Sequence, residues 1–121
     1  MSADVTGFRN LLIWQKSQQP ALSVSRETAK LPRSRQVDVI SNQVLRSAGW
    51  VSANIAEGYG RFYQATYRNH LSIARGSLFE TKSSIDLLFE GGSLSEDINR
   101  QLVDQCQELA RLLSSRINCD G

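Results

Sequence analysis

Seven residues in one segment, Tyr67, Leu71, Ala74, Leu78, Thr81, Ile85 and Leu88, are separated by 4, 3, 4, 3, 4 and 3 positions. At ~3.6 residues per turn this spacing keeps all seven on one side of a helix, whereas a strand would send them alternately to opposite faces. The pattern persists for three heptads, as in the seam of helices packed at shallow angles. A stripe of this kind needs other helices to cover it. The seam therefore points to an all-α bundle, with this helix over residues 64–89 and Gly91-Gly92 ending it.

The remaining segments supply partners. Over residues 35–57, Val37, Ile40, Val44, Ala48, Val51 and Ile55 recur every three or four positions, and Gly58 follows as a C-terminal glycine, with Gly60 keeping the turn open. Over residues 95–118 the inward set is Ile98, Leu102, Cys106, Leu109, Leu113 and Ile117. Its start lies at Ser93 or Ser95; Ser93 with Glu96 reads as a capping box. A first helix over residues 8–30 turns Leu11, Trp14, Ala21, Val24 and Leu31 inward. Pro20 interrupts it, predicting a kink near Lys16–Pro20 or two shorter helices, because proline removes a backbone hydrogen bond and crowds the preceding turn. Four helices with short breaks in 121 residues make one domain, an antiparallel up-down-up-down four-helix bundle.

Few residues are available for catalysis. One histidine and two cysteines are too few for a zinc site or a histidine-based triad, so neither metal nor cofactor is expected and an enzyme is disfavoured. Cys106 and Cys119, if on one helix, are ~20 Å apart and cannot bridge. Two free thiols, with no apolar signal core around Asp4, fit a reducing cytoplasm. The longest apolar run, Leu11 to Trp14, is far too short to span a membrane.

Charge is unevenly distributed. The formal net charge is +2, but residues 1–78 carry +6 and residues 79–121 carry −4. Eleven of the fourteen cations are arginine, which suits bidentate contact with phosphate or carboxylate. Arg61, Arg68, Arg75 and Lys82 recur every seven residues and so stay on one side of the third helix, with Tyr59, Phe62, Tyr63 and Tyr67 at its N-terminal end. Cations beside aromatics are what backbone neutralisation and base stacking require, with Tyr63 as a stacker. The alternative is internal pairing with Asp97, Asp104 and Glu108 of the fourth helix.

A second cluster, Asn54, Glu57 and Arg61 at the glycine turn, would face Arg75, Ser77 and Glu80 across antiparallel helices. With no histidine expected nearby, Glu57 and Glu80 read as a salt-bridged bundle end rather than catalytic carboxylates. Gly58-Tyr59-Gly60-Arg61 lacks the Gly-Lys-Ser/Thr ending of a phosphate loop. Gly76 inside a helix points to close approach of another backbone. Leu45 and Trp50 lie off the predicted seam and mark an oligomer or partner contact.

The motifs Asn54-Ile55-Ala56-Glu57-Gly58-Tyr59-Gly60-Arg61 and Ile73-Ala74-Arg75-Gly76-Ser77-Leu78-Phe79-Glu80 resemble the paired signatures of the four-helix-bundle proteins encoded in 23S ribosomal RNA intervening sequences. Phe8-Arg9-Asn10-Leu11 with Trp14-Gln15-Lys16, and Leu94-Ser95-Glu96, match the family's opening and its last helix, so that the similarity spans residues 8–113. The accessory variability proteins of diversity-generating retroelements are distantly similar. The resemblance implies a bacterial protein without catalysis that assembles as a homopentameric barrel and associates with nucleic acid. In the retroelement relatives the barrel engages a reverse transcriptase and its RNA. Pro20, Leu45, Trp50 and Thr66 depart from the family pattern; Leu45 and Trp50 shift weight toward a protein–protein module. The leading expectation is an oligomeric, non-enzymatic scaffold whose basic surface binds nucleic acid.

Overall fold

A computed structural model describes residues 4–118, so Cys119 and any pairing it makes lie outside the described residues. Four helices follow a short 3-10 turn at Gly7–Asn10: α1 (Leu12–Ala29), α2 (Arg35–Tyr59), α3 (Gln64–Glu90) and α4 (Glu96–Ile117). The described residues contain no strand. Packing runs α1 to α2, α2 to α3, α3 to α4 and α4 back to α1, so the helices surround one core.

The heptad seam is the centre of that core. Leu71, Ala74, Leu78, Thr81, Ile85 and Leu88 are all buried, and Tyr67 packs partly buried against them. They meet Val44, Ala48, Val51 and Ile55 of α2 and Leu102, Cys106, Leu109 and Leu113 of α4. The helix ends are chemically defined. Ser34 Oγ accepts from the Val37 amide at 3.1 Å to start α2, and Ser95 Oγ accepts from Ile98 at 3.2 Å to start α4. Ser95 is thus the cap, not Ser93, whose amide instead reaches back 2.8 Å to the Leu88 carbonyl and closes α3. Gly92 makes that reversal at φ +83°, a left-handed conformation that suits glycine.

The first helix departs most from expectation. It starts at Leu12 rather than residue 8, because Leu11 is extended at ψ 128° and separates it from the 3-10 turn. It then runs through Pro20 as one helix, not two. Pro20 lies on the buried face with Ile13, Ser17 and Val24, and packing on α2 and α4 outweighs its poor helix propensity. The inward spacing of these four is 4, 3 and 4, yet two are neither strongly apolar nor helix-favouring, which obscured the period. Ser17 is buried without penalty because its hydroxyl donates to the Trp14 carbonyl at 2.5 Å and meets Ser52 Oγ at 2.8 Å.

Candidate nucleic-acid interface

The turn between α2 and α3 is shaped by close packing. A Cβ on Gly58 would come within 2.8 Å of His70 Cβ and 3.0 Å of Tyr67 Cδ1. Gly58 therefore lies inside the last turn of α2 and lets α3 approach, whereas Gly60 is the cap. That approach brings His70 to the Asn54–Glu57 cluster, contrary to the expectation that no histidine lies near it. His70 Nδ1 is 3.3 Å from Asn54 Oδ1, and Nε2 is 3.5 Å from Glu57 Oε2. Asn54 Nδ2 donates to the Trp50 carbonyl at 2.9 Å, which fixes its amide.

Glu57 also accepts from Arg61 at 2.6 Å. This hydrogen bond holds the Glu57 carboxyl below its usual range, opposed by desolvation and aided by the charge of Arg61 and by His70 when protonated. Glu80 is not part of the cluster. It is exposed on α3, ten residues beyond His70, or ~15 Å along the helix. The two carboxylates are not brought together, and Arg75 faces α4 rather than the cluster.

Of the four heptad cations, Arg68, Arg75 and Lys82 lie on α3 and Arg61 in the turn before it. Arg75 and Lys82 flank α4. Arg75 Nε donates to Ser114 Oγ at 2.9 Å, and its guanidinium sits over the Phe79 ring at 4.5 Å from the centroid. Lys82 pairs with Asp86 on its own helix. Arg68 is half-buried and has no ion pair among the described residues. Among the described residues no ion pair joins these cations to the α4 acids: Glu108 meets Lys16 at 2.9 Å, and Asp97 meets Arg100 at 3.7 Å.

Between α3 and α4 the packing opens into a groove of about 450 Å³, edged by Arg75 and Lys82 on one wall and Arg111 on the other. A second hollow of about 310 Å³ at the α2–α3 turn joins Arg61, Phe62, Tyr63 and Arg116. Tyr63 is 75% exposed and Phe62 79%, so two aromatic rings stand free beside two arginines. Arg111 and Arg116 were not among the residues singled out from sequence, and Phe79 entered only as part of a motif. The acidic balance of residues 79–121 hid the two arginines, because α4 concentrates acids in its first half and arginines near its end.

The other singled-out residues separate. Leu45 lines a shallow hollow with Leu31 and Arg33, on the α1 side of α2. Trp50, 52% exposed, is five residues on and so ~140° round the helix, so the two do not form one patch. Gly76 has nothing within 4 Å of where a Cβ would be, so no backbone approaches it. Among the described residues there is no cluster of three metal-ligating side chains, and no helix is long and apolar enough to cross a membrane.

The comparisons agree with this architecture. A family model described as 23S rRNA-intervening sequence protein matches residues 9–115. The crystal structure of a Bacteroides thetaiotaomicron protein of unknown function, from the S23 ribosomal protein family, is similar with a TM-score of 0.82 and 26% identity. That alignment covers 89% of this chain and all of the other. No curated protein matches the sequence. Neither comparison indicates a catalytic family. The chain belongs to the 23S rRNA-intervening sequence protein family.

Proposed function

We propose that the protein is a non-enzymatic scaffold of antiparallel, up-down-up-down helices that assembles into a homopentameric ring in the cytoplasm and binds nucleic-acid backbone through its α3–α4 face. The observation that carries the reading is the convergence of Arg75, Lys82 and Arg111 on one groove, with Arg61 and Arg116 together at the α2–α3 turn and Arg68 one heptad before Arg75 on α3. Phosphate contacts are individually weak in water, so several cations acting together are needed, and repetition round a ring multiplies them.

Support for self-association comes from exposed apolar side chains on α2 and α3. Trp50 is 52% exposed, Ile73 45%, Val39 50% and Leu87 54%, all on α2 and α3. Apolar side chains exposed along one helix pair suit contact between copies.

Reversing charge with Arg68→Glu and Arg75→Glu tests the binding face. The expected result is loss of RNA and duplex DNA binding at low salt with helicity unchanged by circular dichroism. Retained binding in the folded variant overturns the reading. Light scattering tests assembly: five times the 13.5 kDa chain mass is expected, and a monomer at micromolar concentration overturns the ring.

A further inference from the structure

The α3–α4 groove has a composition that backbone neutralisation alone does not call for. Its floor is apolar, with Leu78, Val103 and Ala110 beside the buried Cys106 thiol, while cations occupy both rims. No Asp or Glu lines it among the described residues, and Lys82 on its rim is paired with Asp86 of its own helix. Phe79 stands in the α3 wall, 53% exposed, with the Arg75 guanidinium over its ring. A rigid phosphate backbone needs only the rim. An apolar floor with an aromatic wall fits a flat, partly polar ring whose anionic tether passes the cations.

We infer that the α3–α4 groove receives an unstacked base from single-stranded nucleic acid, with Phe79 as the stacking ring and Arg75, Arg111 and Lys82 on the flanking phosphates. This rests on the nucleic-acid reading above and narrows it from backbone in general to unpaired strand. Arg75 and Lys82 are seven residues apart, ~10 Å along α3, so they bracket Phe79 and contact phosphates on either side of a seated base. The Gln107 amide and Ser114 hydroxyl on the α4 wall give the base edge donors and acceptors. An acidic amphipathic helix is the competing occupant. It needs apolar anchors repeated over more than two turns, and the apolar floor on α4, from Val103 to Ala110, extends for about two. A duplex keeps its bases stacked and reaches only the rim.

The test compares a labelled 12-nucleotide single-stranded RNA with a duplex of the same length by fluorescence anisotropy. Two variants accompany the native chain: Phe79→Ala, which removes the ring from an exposed position, and Ala110→Leu, which fills the groove from the α4 side. The single strand is expected to bind at least about tenfold more tightly than the duplex, from the usual worth of one stacked base. Each variant is expected to remove most of that preference and leave duplex affinity within about twofold, with circular dichroism confirming the fold. Equal affinity for both probes, or a preference untouched by either variant, overturns the inference while leaving the backbone reading in place. Failure of both probes to bind, with capture of a synthetic acidic amphipathic peptide that Ala110→Leu blocks, overturns both.

Discussion

The two flanks of α3 are built in opposite ways. Toward α2 the contact is the most extensive in the molecule, closed by small and hydroxyl-bearing residues. Thr81 Oγ1 lies 2.8 Å from Ser47 Oγ and 2.8 Å from the Ser77 carbonyl, and Gly58 admits Tyr67 and His70. Toward α4 the contact is looser, leaving an apolar groove of about 450 Å³ rimmed by cations. A folded core has little tolerance for gaps, so an apolar hollow kept open beside a sealed seam is best understood as a surface that something else covers. The closed flank fixes α3, and the fixed helix presents its cations toward the open one.

The sharpest way to break the comparison is to add volume on each side. Gly58→Leu should destabilise the protein by about 3 kcal/mol in urea unfolding, since even a Cβ there meets His70 at 2.8 Å. Ala110→Leu should change stability by less than about 0.5 kcal/mol, since its side chain enters open space. Similar costs at the two sites would mean that the groove is not open in solution.

The buried thiol at the groove floor gives a second handle. Burial pushes the Cys106 thiol up to about 11, so it remains protonated near neutral pH. The unfolded thiol loses its proton first as pH rises, near 8.5. The folded state therefore keeps this contribution below that pH and loses it between there and about 11, by an amount of order 3 kcal/mol. Cys106→Ala should flatten the alkaline fall in stability. An unchanged slope would show that the thiol is accessible to water.

Smaller effects sharpen the account of the closed flank. Thr81→Val keeps the shape but removes the buried hydroxyl beside Ser47, at a cost of about 1 kcal/mol. Gly76→Ala, on the exposed side of the same helix, should gain up to about 1 kcal/mol, because its site is open and alanine favours helix. A loss at Gly76 would show that something packs on it, such as a neighbouring copy.

Where the sequence was legible, one dominant force left a regular trace. The apolar periods of α2, α3 and α4 announced their inward faces because burial of aliphatic residues selects both the helix and its orientation. In α1 the inward face includes Ser17 and Pro20, so hydrogen bonding and packing replaced the apolar signal and the break at Leu11 went unseen. The heptad of cations was visible because three of its four members lie on one helix and the fourth in the turn just before it. Its other half was not, since Arg111 and Arg116 come from α4 and meet α3 only after folding. For the same reason His70 was not foreseen beside Glu57: sixteen positions separate His70 from Asn54, and the glycine that closes the distance looked like a terminus.

The central claim is that six cations, Arg61, Arg68, Arg75, Lys82, Arg111 and Arg116, form a working phosphate surface. A salt titration of binding to labelled duplex and structured RNA, read by fluorescence anisotropy, tests it most directly. If six phosphates are neutralised, duplex affinity should fall by about 10³-fold between 50 and 200 mM salt. No binding even at low salt, or binding indifferent to salt, would contradict the account and assign those residues to the bundle or to a protein partner.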